Sequence, residues 1–401
     1  RHAVIIRIAP LHIMKRSPDV IVVGGGVMGC SALYNLTELG FQNSLLLERK
    51  TLGSAATGRS VAILRTHYSN EVCVRMALKS REIIVDFQNV TGHAGGFVRT
   101  GYLFLVGKGQ EEGMRNNIGI AQAIGVNTRE LSIQQAGDMF PHFDFYGVTA
   151  AAYEPDSGYA DSSAVTIGFA RAARSNGAQI KLGTNVTSVV VEHGRVVAVL
   201  TQSGERINTA RVIITAGAWA RELITQVGAN LPISWIRHQV ITVRRPLHLL
   251  PSHPTVGDLP NALSLRPDSN DLTLIALRED PTDLDDYNPG VDSFVVADAM
   301  DRTVKRLPRM QEAGWDGGWS GIFTVTPDWH PVIDAVPGVD GLYCAVGFSG
   351  HGFKLSPAVG RAIAEMCVNG RANSFDIDPL RFTRFDEGVL LRSAYGPTVF
   401  A

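Results

Sequence analysis

A chain of 401 residues, 45% of them apolar, is longer than one usual domain and suits two, each large enough to bury its own core. Its 37 basic and 38 acidic residues leave a net charge of -1 with the arginines scattered, which removes the electrostatic case for nucleic acid or an anionic membrane. No apolar run approaches the roughly 20 residues that span a bilayer, and Cys30, Cys73, Cys344 and Cys367 are too far apart to suggest a disulfide framework or a zinc site.

A reducing compartment follows from that cysteine usage: the cytoplasm, or the mitochondrial matrix in a eukaryote. Residues 1–16 include Arg1, Arg7, Lys15 and Arg16 and no acid, which reads as an N-terminal extension, tag or presequence, with Met14 as a candidate start.

The stretch Val20-Ile-Val-Val23 reads as a buried parallel strand, because four β-branched residues in a row leave no polar face. Gly24, Gly26 and Gly29 follow as G-x-G-x-x-G: one glycine for the turn, one for close approach to a pyrophosphate, one for packing of helix on strand. Val27, Met28, Ala32, Leu33, Leu36 and Leu39 make a helical stripe that Gly40 stops. A second strand, Ser44 to Leu47, ends on Glu48, near the place where this motif sets a carboxylate to bind a ribose, about 20 residues on. Strand, turn, helix, strand and acid in that order read as a dinucleotide-binding unit rather than an ordinary glycine-rich loop.

Gly53 to Ser60 is small and polar, as suits a loop beneath a cofactor. A helix is expected from about Asn70 to Asn89, a pair of short strands around Gly101 within Phe97–Val106, and helices in a polar setting over 110–140. A short strand at Ala150–Tyr153 precedes a helix capped by Asp161 and stopped at Gly177. Strands Gln179–Leu182, Val186–Glu192, Arg195–Thr201 and Arg206–Ile207 form a meander that feeds the apolar strand Arg211 to Thr215 and the turn Ala216-Gly217-Ala218-Trp219. Between 231 and 280, strands Ile233–Val243, Ala262–Leu265 and Leu272–Leu277, broken by prolines, read as an antiparallel sheet whose loops wall a pocket. A helix near Phe294–Leu307 closes it. Trp319 to Pro327, a strand at Gly341–Val346 and the run Gly347-Phe-Ser-Gly-His-Gly-Phe-Lys354 complete the pattern.

Four places together resemble the FAD-dependent amine and amino-acid oxidoreductases, the family of D-amino-acid oxidase, glycine oxidase and sarcosine oxidase. They are Gly24–Gly29 with Glu48; Ile63-Leu-Arg-Thr-His-Tyr68; Ala216–Trp219; and Thr324-Val-Thr-Pro-Asp328 with the Gly347–Lys354 loop. The resemblance is nearest to monomeric sarcosine oxidase and the sarcosine oxidase β subunit. It implies a mixed α/β fold, with a Rossmann-like FAD-binding domain and an inserted antiparallel-sheet substrate domain. Segments 17–95, 150–228 and 318–385 would bind FAD and segments 96–149 and 229–317 would hold the substrate, leaving 386–401 as a C-terminal tail.

The implied cofactor contacts are Gly24, Gly26, Val27, Met28, Gly29, Glu48, Arg49, Ser54, Thr57, Gly58, Ser60, Val186, Ala216, Gly217, Trp219, Gly350, Gly352, Phe353 and Lys354. Arg65 and Lys354 match the pair that holds the substrate carboxylate in sarcosine oxidases. His67, His238 and His351 are candidates to assist loss of an amine proton, His67 being set beside the catalytic pair, while His351 between two glycines more naturally orders its loop. Trp315, Trp319 and Trp329 read as core or pocket lining.

Several positions depart from the family pattern. Gly321 stands where a cysteine anchors flavin covalently, and Arg59 lies near a histidine that does so in dimethylglycine dehydrogenases, so noncovalent FAD is implied. Thr273 lies in the strand where a lysine activates oxygen, and Ala62 replaces an arginine that lies against the flavin. The expected reaction is oxidation of a C–N bond in a small carboxylated amine such as sarcosine, dimethylglycine or proline, with hydride passing to flavin N5. Oxygen or another acceptor would reoxidise the flavin, and an oligomer or partner subunit fits the family. The alternatives are a primary-amine oxidase of the glycine or D-amino-acid type, or a flavin-binding partner without turnover.

Overall fold

In the computed structural model, which describes residues 17–269, 271–285, 287–396, 398 and 400, Val20–Val23 is an inner strand of a six-stranded sheet. The extension expected over 1–16, with its Met14, lies outside the described residues. The sheet runs in the order Val332–Ala335, Leu342–Val346, Val212–Ile214, Val20–Val23, Ser44–Leu47, Gln179–Lys181, and only its first strand is antiparallel to its neighbour.

Alternation along those strands divides the core in two. Val20, Val22, Leu46 and Ile213 pack against the helices Val27–Glu38, Ser162–Ser175 and Gly352–Asn369. Ile21, Val23, Leu45 and Leu47 pack instead against the three-stranded meander Val186–Glu192, Arg195–Thr201, Arg206–Asn208 and the short helix Ala220–Thr225. Both faces are covered, which is why the strands are apolar throughout.

The second sheet has eight strands, in the order Gly314–Val325, Ser234–Arg244, Leu272–Pro281, Leu263–Pro267, Thr255–Asp258, Tyr102–Val106, Ala150–Glu154, Arg129–Leu131. It is antiparallel except where Thr255–Asp258 runs parallel to Tyr102–Leu105. The helix Ser293–Arg306 covers one face through Val295 and Ala299. Besides the meander, a further three-stranded sheet joins Ile63–Leu64, Gly158–Tyr159 and Val98–Arg99.

Several sequence expectations need correction. The two short strands expected around Gly101 are present as Val98–Arg99 and Tyr102–Val106 but lie in different sheets: Gly101, at φ +70° with its N–H on Ser157 O at 2.9 Å, hands the chain from the three-stranded sheet to the eight-stranded one. Gln179–Lys181 is an edge strand of the parallel sheet, not part of the meander. The helix expected to Asn89 ends at Val85 and restarts at Phe87–Thr91. Arg129–Leu131 and Thr255–Asp258 are strands where none was expected; three or four residues between turns and prolines carry no period to read. Ala150–Glu154 and most of Gly314–Val325, placed with the FAD-binding segments by the sequence division, are strands of the large sheet. Trp315 is 65% exposed on its edge strand, rather than core or lining.

Two backbone N–H groups of the segment read as a tail are tied to the body of the protein. Leu391 N donates to Asp328 Oδ2 at 3.3 Å and Ala394 N to Ser69 Oγ at 2.9 Å. Among the described residues no helix is long and apolar enough to cross a membrane, and the four cysteines are free and buried.

Candidate active site

A cavity of about 920 Å³ lies between the two large sheets, and most of the positions singled out in the sequence line it. The glycine turn is part of its wall. Gly24 has φ +108°, and a Cβ there would stand 2.6 Å from Thr215 O. A Cβ on Gly29 would run into the Gly24 carbonyl and come within 2.7 Å of Thr215 Oγ1, so this glycine serves the contact of helix and strand. Gly26 caps the helix Val27–Glu38 with no side chain, which leaves the positive end of the helix dipole toward the cavity. Thr57 Oγ1 accepts from Val27 N at 3.1 Å and ties in the loop beneath.

Glu48 is held by this turn, accepting from Gly25 N and from Lys50 N, both at 2.7 Å. The Arg49 guanidinium sits 3.5 Å from the centre of the Trp219 ring and so couples the second strand of the motif to the turn after Ile214. Val186, Ala216, Gly217, Ser54 and Ser60 complete this part of the wall. Gly29 and Gly58 are not among the lining residues. Gly58 is a packing glycine, its N–H bonded to Gly53 O at 2.8 Å and a Cβ excluded by that same carbonyl at 2.6 Å.

Two cations also line the cavity. Arg65, 5% exposed, follows the strand Ile63–Leu64, donates through Nη1 to His67 O and stacks over Tyr68 with 4.4 Å from Cζ to ring centre. Lys354 is in the first turn of the helix Gly352–Asn369, whose start has no side-chain cap either. Its Nζ donates to Gly350 O at 3.4 Å. Burial, and then the neighbouring Arg65, hold the Lys354 ammonium pKa well below its ordinary value. The loop before it is fastened by Ser349 N on Thr324 O at 2.8 Å, and the turn after Thr324 by the fully buried Asp328–Arg384 pair at 2.8 Å.

The three histidines separate in space. His238 lines the cavity, stacked on Phe323 at 4.4 Å and held by burial at a pKa of about 4. His351 is behind the wall, with Nδ1 3.3 Å from the Tyr68 hydroxyl, and stays neutral through burial and the charges of Lys354 and Arg65. His67, the catalytic candidate, does not line the cavity. Its ring lies between Phe104 at 4.6 Å and Tyr395 at 5.9 Å, its Nε2 is 2.7 Å from Tyr395 Oη, and burial together with Arg65 holds it at about 3. What it offers the site is the backbone carbonyl that Arg65 holds.

Of the departing positions, Gly321 lines the cavity opposite Arg59, Ala62 is buried at φ +51°, and Thr273 is enclosed by Arg245 at 3.1 Å and His253 at 2.9 Å, away from the lining. Tyr102, Leu259, Thr398 and Phe400 line it without having been anticipated as site residues. No local motif marks them, because each is brought to the wall by strand pairing or packing with distant residues.

Two helix starts without a side-chain cap, an acid held on the glycine turn and a cavity whose wall includes Arg65 and Lys354 form a donor set that fits a flavin dinucleotide. Residues 19–366 match the family described as FAD dependent oxidoreductase (DAO). Mitochondrial sarcosine dehydrogenase of Mus musculus is 25% identical over 386 residues, 92% of this chain and 42% of that protein. The chain spans less than half the length of the curated relatives it matches first. Among solved structures, L-proline dehydrogenase from P. horikoshii superposes with a TM-score of 0.86 at 26% identity, covering 94% of this chain and 99% of that one. Glycine oxidase from Geobacillus kaustophilus does so with 0.80 at 27% identity, covering 91% and 98%.

Proposed function

We propose that this chain, which belongs to the FAD-dependent oxidoreductase family, oxidises the C–N bond of a small amine that carries a carboxylate, using noncovalently held FAD. The observation that supports this reading most is the pair of buried cations, Arg65 and Lys354, on one cavity wall. Burial and, after it, the neighbouring Arg65 lower the Lys354 pKa, and a ligand anion would offset both effects on the lysine. A carboxylate matches the planar fork of arginine and the point charge of lysine. The three relatives named above carry amino acids with a carboxylate one carbon from the amine in their names, which agrees with that geometry.

In this reading the Gly24–Val27 turn and the start of the helix Val27–Glu38 hold the diphosphate, Glu48 the ribose, and the Gly350–Lys354 helix start the electron-rich edge of the flavin. Gly321 offers no atom for a covalent link. When bound, the flavin supplies the acceptor for a hydride equivalent from the carbon next to the amine nitrogen. Arg65 and Lys354 fix the carboxylate and thereby orient that carbon. Their charge also favours the neutral form of the substrate amine, so that the amine reaches its reactive state without a dedicated base. His238 faces the cavity as a neutral ring over ordinary pH.

The test is anaerobic mixing of the FAD-loaded full chain with sarcosine, dimethylglycine, proline, glycine and D-alanine. Bleaching by at least one of the secondary or tertiary amines is expected. Flavin that stays oxidised with every amine would favour a binding partner without turnover, and mixing the reduced protein with oxygen would show whether oxygen is the acceptor.

A further inference from the structure

Phe400 and Thr398 stand on the cavity wall with Arg65, Ile63 and Tyr102. Phe400 packs against the cluster of Tyr102 and Phe104, 5.8 Å from the Phe104 ring, on which Ile63 and Leu259 also pack. Gly257 makes the space: a Cβ there would stand 3.1 Å from the Phe400 ring. The preceding residues hold this part of the chain in place. Ala394 N is bonded to Ser69 Oγ at 2.9 Å, and Tyr395 stacks on His67 with its hydroxyl 2.7 Å from Nε2. His67 O in turn accepts from Arg65. Contacts therefore run from the cation that would hold a carboxylate, through His67 and Tyr395 to the Phe104 ring and on to Phe400, whose N–H donates to Thr398 Oγ1 at 3.2 Å.

We propose that Thr398 and Phe400 form the specificity wall of the substrate pocket. Phe400 limits how far a substrate can extend beyond its carboxylate, and Tyr395 acts through His67 as the positioning residue that fixes this wall relative to Arg65. The substrate class is then a compact amine, unbranched or with one small ring. This inference rests on the carboxylate site of the proposed function.

The test uses the FAD-loaded full chain titrated with acetate and with cyclohexanecarboxylate, reading flavin absorbance. The quantity of interest is the ratio of the bulky to the small ligand's Kd. Phe400→Ala should lower that ratio by about tenfold or more, the usual consequence of opening an apolar pocket, and Phe400→Trp should raise it. Tyr395→Phe keeps the ring but loses the hydroxyl, and should lower the ratio by a smaller factor than Phe400→Ala. A loss of fold alone weakens both ligands together and leaves the ratio where it was. An unchanged ratio in both Phe400 variants, with flavin content normal, would overturn the wall. If neither carboxylate perturbs the wild-type flavin, the carboxylate site itself fails, and the wall with it; that outcome is read from the wild type and the other from the variants.

Discussion

Lys354 is where the charge state of the site is decided. It is buried, it shares its cavity wall with Arg65, and its pKa lies well below the ordinary lysine value for both reasons. A bound carboxylate raises that pKa, so ligand binding above the pKa of the ligand-free site takes up a proton. Affinity should therefore be flat at lower pH and fall as pH rises through the Lys354 pKa. Calorimetric titration in two buffers of different ionisation enthalpy measures the proton uptake directly. Lys354→Met should abolish the pH dependence and raise the carboxylate Kd tenfold to a hundredfold, as expected for loss of one charge-assisted hydrogen bond worth roughly 1.5 to 3 kcal/mol. Arg65→Lys should cost nearly as much as Arg65→Met if the guanidinium binds as a fork, and much less if it supplies field alone.

Two helices present their uncapped starts to the cavity, and their mutual packing sets how those starts are aimed. Val27–Glu38 and Gly352–Asn369 touch where Gly360 meets Ser31, so closely that a Cβ on Gly360 would stand 2.6 Å from Ser31 Cβ and from the Ser31 backbone carbon. Gly360→Ala should force the helices apart and lower the unfolding free energy by about 1 to 3 kcal/mol. Because both helix starts move with it, FAD affinity should fall in the same variant. Denaturant unfolding and flavin titration measure the two effects, and Ser31→Gly added to Gly360→Ala should restore part of each. Unaltered FAD affinity would mean that the helix starts are aimed by their loops instead.

Across the molecule, buried neutral histidines couple the fold to pH. His67 is held at about 3, and His238 and His253 at about 4, in each case chiefly by burial, against an ordinary value of 6.5. Between those limits the unfolded chain binds protons that the folded chain refuses, so stability is fully present above pH 6.5 and is lost as pH falls toward 4. Each of the three contributes up to about 2 kcal/mol between neutral pH and pH 5, at 1.36 kcal/mol per unit. In urea unfolding at the two pH values these three should account for a loss on the order of 5 kcal/mol, of which His67→Gln should remove about 2 kcal/mol. A stability unchanged over that interval would show that these rings are hydrated and titrate normally.

What was legible in the sequence is local. The β-branched run Val20–Val23, the three glycines after it, the stop at Gly40 and the cap at Asp161, whose Oδ1 accepts from Ser163 N and Ala164 N, each announce themselves within one turn of chain, because propensity and turn chemistry act over a few residues. The Gly347–Lys354 run was legible by resemblance for the same reason. What only the tertiary structure decided is which side chains meet. The strand Thr255–Asp258 exists because it pairs with Tyr102–Leu105, the handover at Gly101 depends on Ser157, and His67 is turned from the cavity by Phe104 and Tyr395. Phe400 reaches the wall because Gly257 leaves it room. These contacts join residues tens to hundreds of positions apart, and the free energy that selects them comes from burying both partners together, which neither stretch of sequence expresses alone.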